Sequence, residues 1–266
     1  MKPEIWKASN CSRYLPKPQS NDHKYRRGVL GCVTGSKQFP GAALLTTTAA
    51  LSVGIGMVRY FGPDQVKKAV IQNRPEVVIQ TGSVDAYLLG SGIPAKKSLL
   101  RKFTMEMANR ADLPKVLDAG ALYLTGTSKS PTIITPHAGE LAQLLNVKSA
   151  DIDVDPLKFA QEAANRFKVT VLLKGHETLV VNSTRAIKLP AASSWLATAG
   201  TGDVLAGILG ALLALNKGQV THEKLIELGA TASFIHAKAA TLDSDGPISA
   251  SGMVRNIPAV IAKFSD

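Results

Sequence analysis

The sequence predicts an α/β fold in three layers, with helices on both faces of a mostly parallel central sheet. Three observations carry this expectation. Short β-branched apolar runs recur along the chain, most of them end in glycine or a polar residue, and longer segments of helical periodicity lie between them. Runs that are apolar throughout suit strands covered on both faces, and their alternation with helices suits parallel crossover connections.

Taken in order, residues 1–23 carry no such pattern and read as an N-terminal extension to one domain spanning 1–266. VLGCVTG from Val29 is the first expected strand, followed by a helix over 41–54. MVRYF from Met57, EVVIQTG from Glu76 and AYLLG from Ala86 read as strands, and a helix is expected over 96–109. The strands KVLDAG from Lys115 and TIITPH from Thr132 precede helices over 138–146 and 155–167, and VTVLLKG from Val169 closes the alternating part. The rhythm then changes. TLVVN and AIKLP are separated only by Ser183, Thr184 and Arg185, which leaves no room for a helix and predicts an antiparallel hairpin. Helices over 203–215, 222–240 and 251–264 complete the chain.

The formal charge of the 266 residues is +11. A basic field of this kind attracts any polyanion. The chain has no zinc-ligand spacing, no recognisable basic helix and few aromatic residues, so a phosphate-rich small ligand is expected rather than a nucleic acid. Two cysteines, Cys11 and Cys32, are too few for a disulfide framework. The first residues lack the apolar core of a signal peptide, and a cytoplasmic location is expected. Between Lys37 and Arg59 there is no charge, but Pro40, Gly41, Gly54, Gly56 and three threonines suit a packed interior helix and not a membrane span.

The segment ATAGTGDVLAGILGALLAL from Ala197 points to chemistry. Gly200, Thr201 and Gly202 lead into Asp203 and a long apolar helix, and small residues let backbone amides approach an anion at a helix start. A carboxylate beside an anion hole repels a bound phosphate, yet it is useful if it takes the proton of a hydroxyl attacking phosphorus. Asp203 is therefore a catalytic-base candidate. An N-cap role, with Gly207 and Gly210 serving helix packing, suits the same residues.

Seven segments, in order from about residue 24 onward, break that tie: GSKQFPGAALLTTTAALSVGIGMVRY from Gly35, RPEVV from Arg74, GSG at Gly90, VLDAGAL from Val116, TPHAGE from Thr135, LLKGHETLV from Leu172 and AGTGDVLAGILG from Ala199. In these the chain resembles the ribokinase-like superfamily and, within it, the ADP- or ATP-dependent NAD(P)H-hydrate dehydratases. The resemblance implies a ribokinase-like three-layer α/β/α sandwich. It also implies a repair reaction in which the S-epimer of hydrated NADH or NADPH is phosphorylated by ADP or ATP and then loses phosphate, restoring the reduced nicotinamide.

On the same resemblance Asp203 is catalytic and touches the hydrate, along with Ala42, Ala43, Gly92 and His137. Lys174, Gly175, His176, Glu177 and Thr178 line the nucleotide, as does Gly202. Glu140 either caps the helix after His137 or helps hold a metal-bound water. Mg2+ is expected with the nucleotide, although its ligands are not read from the sequence. A homo-oligomer, commonly a tetramer, and a functional link to a separate NAD(P)H-hydrate epimerase are implied as well, with ADP favoured as donor. The chain departs from the family pattern in three places: Ala199 stands where glycine is commoner, GSGI replaces GPGL, and in IHAKAA from Ile235 no glycine follows the histidine. A vitamin-precursor kinase of the same superfamily and a catalytically idle nucleotide-binding scaffold are the competing readings.

Overall fold

Successive residues of the central strands belong to different cores. Leu88, Val116, Ile133 and Leu172 face one, while their neighbours Leu89, Leu117, Ile134 and Leu173 face the other. This period-two division, with every residue of these strands buried, is the physical content of an apolar run covered on both faces. The computed structural model describes residues 1–94, 99–109 and 112–264.

The strands are β1 (Glu4–Ile5), β2 (Val29–Val33), β3 (Met57–Tyr60), β4 (Ala86–Leu89), β5 (Lys115–Leu117), β6 (Thr132–Ile134), β7 (Thr170–Leu173), β8 (Leu179–Val181) and β9 (Ala186–Lys188). They form one sheet in the order β1-β9-β8-β7-β6-β5-β4-β2-β3. All neighbours pair in parallel except at β8, which is antiparallel to both β7 and β9. The expected hairpin is present, with Val180 opposite Ile187.

The helices are α1 (Ala8–Cys11), α2 (Pro40–Ser52), α3 (Asp64–Asn73), α4 (Leu99–Asn109), α5 (Ala138–Leu145), α6 (Ser149–Val154), α7 (Pro156–Phe167), α8 (Thr201–Leu215), α9 (Leu225–Ala240), α10 (Ala250–Val254) and α11 (Ile257–Ala262). Residues 96–98 of the helix expected over 96–109 lie outside the described residues. One core joins the sheet to α2, α3, α8, α9, α10 and α11, and the other joins it to α4, α5, α6 and α7. Helix α8 is apolar all round, as a helix surrounded by protein must be. Its Gly207 faces α2 so closely that a β-carbon there would lie 2.4 Å from the Thr46 carbonyl oxygen. Among the described residues no helix is long and apolar enough to cross a membrane.

Two expectations need correction. EVVIQTG is not a strand and makes only a bridge from Val78 to Arg59, because the Arg59 guanidinium donates to the carbonyls of Gln80 and Ser83 and takes acceptors a strand would offer its neighbour. The helix expected over 251–264 is two helices, with Pro258 in the first turn of the second, where a missing N–H costs nothing. Helices α3 and α6 were not expected, since they bury only Val66 and Val70 and only Ile152, too few residues to make a period. Residues 1–23 supply the edge strand β1, and Trp6, Cys11, Tyr14 and Leu15 are buried in the α8 core.

Candidate active site

Parallel pairing brings the carboxyl ends of β2, β4, β5, β6 and β7 to one side of the sheet, where ligands gather in open α/β folds. The residues that follow these strands are Thr34, Gly90, Asp118, Thr135 and Lys174. The N-terminus of α8 meets them there.

Gly200 caps α8 in a left-handed conformation at φ 90°, and a β-carbon there would come within 2.5 Å of the Leu45 side chain. Glycine satisfies both demands at once. The Thr201 hydroxyl donates to the carbonyls of Leu196 and Thr198, which folds the loop back onto the helix start. Ala199 is exposed, so its methyl does not crowd the turn. The first amides of α8 are left free to bind an anion.

Asp203 lies in the first turn of α8. Among the described residues no hydrogen bond or ion pair holds its side chain. Burial, then the charge of Asp118, push its carboxyl up to about 7, against the opposing pull of Lys174. A carboxylate free of partners and titrating near neutrality can accept a proton and give it back.

Lys174 enters from the end of β7. Its ammonium lies 3.2 Å from Asp118 Oδ1 and 3.7 Å from Glu140 Oε2, and a β-carbon on Gly202 would sit 3.7 Å from its Nζ. Burial works against its charge, but Asp118, Glu140 and Asp203 outweigh it and hold the ammonium above its ordinary range. The lysine is thus a fixed cation at the start of α8 rather than a strand-end side chain in water.

Glu140 forms a capping box with His137: the His137 N–H donates to Oε2 at 2.8 Å and the Glu140 N–H donates to Nδ1 at 3.3 Å. The helix-capping role is therefore present, and the His137 side chain remains largely exposed beside it. Gly92, with φ 66°, packs against α2, where a β-carbon would lie 2.4 Å from that of Ala42. The Ala43 methyl is fully buried, and any β-carbon at Gly35 would lie 2.7 Å from it.

Lys174, Gly175, His176, Thr178 and Gly202 line one cavity of about 410 Å3. Its remaining wall is largely apolar, with Leu189, Leu196, Leu205 and Ala237 beside the buried His236. Glu177 points elsewhere: it pairs with Lys188 at 2.7 Å and lines a neighbouring cavity. Sequence reasoning gave no role to Asp118, Ser91, Thr135 or His236. The strand-end rule was available for Asp118 and Thr135, which directly follow β5 and β6; Ser91 and His236 lie in GSG and IHAKAA, segments singled out without a role for either residue. Among the described residues no group of three or more His, Cys, Asp or Glu side chains is placed to hold a metal ion.

Residues 30–253 match the sequence model of a family described as NAD(P)H-hydrate dehydratase. The chain is 36% identical over 276 residues to the bifunctional NAD(P)H-hydrate repair enzyme Nnr of Mycobacterium leprae, an alignment covering 96% of this chain and 55% of that protein. It is 30% identical over 262 residues to the ADP-dependent (S)-NAD(P)H-hydrate dehydratase of Neisseria meningitidis, covering 92% of this chain and 86% of the relative. The chain spans about half the length of the bifunctional relatives it matches. Its fold superposes on the ADP/ATP-dependent NAD(P)H-hydrate dehydratase of Bacillus subtilis co-crystallized with ATP/Mg2+, with a TM-score of 0.86, 25% identity and 99% of each chain covered. A ribokinase-like protein of Enterococcus faecalis superposes with a TM-score of 0.86 at 19% identity over 98% of this chain and 96% of the other, a likeness of fold.

Proposed function

Because this chain belongs to the NAD(P)H-hydrate dehydratase family, we propose that it is a nucleotide-dependent dehydratase that restores NADH or NADPH from the S-epimer of its hydrate, with Asp203 as the catalytic base. The observation that carries this reading is a carboxylate in the first turn of α8 with no hydrogen-bond or ion-pair partner among the described residues, which burial pushes up to about 7. The names of the Neisseria and Bacillus relatives support ADP or ATP as the phosphoryl donor.

The nucleotide occupies the cavity lined by Lys174, Gly175, His176, Thr178 and Gly202, its base against the apolar wall and its phosphates toward the α8 amides and the Lys174 ammonium. We assign the hydrate to the side of Ala42, Ala43, Gly92 and His137, as the family resemblance implies, with the Ala43 methyl itself buried in the protein. Asp203 takes the proton of the ring hydroxyl as its oxygen bonds to the terminal phosphorus, and the nucleotide leaves one phosphate shorter. The carbon–oxygen bond of the ring then breaks, phosphate departs with the electron pair, and the neighbouring carbon loses a proton to restore the double bond. The dehydration is driven by this exchange of a poor leaving group for a good one.

The described residues form no protein cage for magnesium. Mg2+ therefore belongs in this proposal as an ion carried by the phosphates of the nucleotide, in keeping with its preference for phosphate and water ligands. The protein is taken to be cytoplasmic and to assemble as a homo-oligomer, a tetramer in the family pattern. The relatives named bifunctional support a second repair activity acting beside this one, which we assign to a separate NAD(P)H-hydrate epimerase. Release of inorganic phosphate that requires both hydrated NADH and nucleotide tests the reaction. A phosphorylated product that accumulates would point instead to a vitamin-precursor kinase, and nucleotide binding without turnover to an idle scaffold.

A further inference from the structure

The carboxylate of Asp118 is almost completely buried, and both of its oxygens are engaged. The Ser91 hydroxyl donates to Oδ2 at 2.8 Å, the Thr135 hydroxyl donates to Oδ1 at 2.7 Å, and the Lys174 ammonium donates to Oδ1 at 3.2 Å. These donors follow β4, β6 and β7, while Asp118 itself follows β5. One buried charge therefore gathers the ends of four neighbouring strands. Buried charges are costly unless paired and hydrogen-bonded, and this one is both.

The two sides of this junction lead to different parts of the site. Ser91 is the middle residue of the Gly90–Gly92 loop, and Gly92 packs on Ala42. Gly90, at φ 113°, lies so close to Asp118 that a β-carbon would meet its carbonyl oxygen at 1.9 Å, so the loop is pressed onto the junction. On the other side Lys174 lines the nucleotide cavity and faces Gly202. Asp118 itself does not line that cavity.

We propose that Asp118 is a positioning residue: it fixes the Lys174 ammonium at the start of α8 and ties it to the Gly90–Gly92 loop, so that phosphoryl donor and acceptor hydroxyl are held in one register. This rests on the reaction proposed above. Phosphoryl transfer depends on alignment and on charge placed before the reaction begins, so loosening the junction costs turnover more than binding. Glu140 alone, 3.7 Å away, cannot replace the closer and more buried partner.

The test compares the wild-type chain with Asp118→Asn, which keeps the size of the side chain and its capacity to accept from a hydroxyl but removes the charge. Two readouts are taken. The first is kcat and KM for nucleotide and hydrate. The second, which needs no turnover, is the rate of reductive methylation of Lys174 by formaldehyde and a borane reductant, followed by peptide mass spectrometry. Expected are a fall in kcat of about 10- to 100-fold with both KM values within about threefold, and methylation of Lys174 several-fold faster than in the wild type. A fall in kcat with Lys174 methylated at the wild-type rate overturns the proposal, because Asp118 then acts only structurally. Faster methylation with kcat unchanged overturns it as well, because the position of Lys174 then has no bearing on the reaction. Where Asp118→Asn does not fold, Thr135→Val decides by the same two readouts: it leaves the charge and removes the hydroxyl that orients it, with the same pattern expected at smaller size. If the wild type itself does not turn over the hydrate, the proposed reaction falls, and the methylation rates still show whether Asp118 holds Lys174.

Discussion

The imidazole Nε2 of His236, in the C-terminal half of α9, lies 2.9 Å from the carbonyl oxygen of Thr201, the first residue of α8. A carbonyl can only accept, so Nε2 carries the proton. Burial is the main reason its pKa falls to about 4, helped by Lys174 and opposed by the Thr201 bond, and the ring is neutral at pH 7. It ties α9 to the turn that presents Asp203.

This neutral ring makes stability depend on acid. Its folded pKa, about 4, lies below the ordinary value of 6.5, so between the two the unfolded chain binds more protons. The contribution is complete above the ordinary value and is lost as pH falls through the folded one, amounting to roughly 3 kcal/mol. Thermal unfolding of wild type and His236→Gln from pH 7 to pH 4 checks this, with Tm falling more steeply in the wild type. Parallel curves would remove His236 from the account.

Asp203 carries the opposite sign. Its folded pKa, about 7, is raised above the ordinary 3.8, so its stabilising contribution is full below the lower value and is lost as pH rises through the upper one. Asp203→Asn is therefore expected to unfold at a higher temperature than wild type at pH 8, by up to roughly 4 kcal/mol in stability, with the gap closing in acid. A variant less stable than wild type at pH 8 would contradict a strained, desolvated carboxylate.

In the proposed reaction the same group would set the pH profile. With Asp203 as base, kcat/KM rises through about 7 and levels off above it. Asp203→Asn should bind nucleotide with little change while turnover falls at least about 100-fold. Undiminished turnover in this variant would exclude it as the base.

Packing of α8 on α2 is tested at glycine. Gly207→Ala places a methyl against the Thr46 carbonyl oxygen and should cost about 1–3 kcal/mol. Gly41→Ala, in the first turn of α2 with nothing among the described residues within 4 Å of the added carbon, should be neutral or stabilising by about 0.5 kcal/mol. Denaturant midpoints of the two variants measure the contrast, and equal effects would mean that α2 and α8 have room to part.

The division between what the sequence disclosed and what it hid follows from range. Strands such as Ala86–Leu89 were legible because burial on both faces requires four apolar residues in a row. The place of Asp203 in the first turn of α8 was legible because Gly200 and Gly202 stand beside it in the sequence. Asp118 was not, because its meaning depends on Ser91, Thr135 and Lys174, which are 27, 17 and 56 residues away and meet only when the strands pair. EVVIQTG misled because a side chain, Arg59, takes acceptors that a strand would have used. Within KGHET the chain bends after the strand end, and Glu177 pairs with Lys188 while His176 and Thr178 line the cavity.

The central claim is tested most directly by following the absorbance of reduced nicotinamide after purified protein is added to hydrated NADH with magnesium and ADP, ATP or no nucleotide. Recovery of the band is expected only when nucleotide is present, matched by an equal amount of released phosphate. A folded protein that binds nucleotide yet restores no absorbance, or restores it without nucleotide, would contradict it.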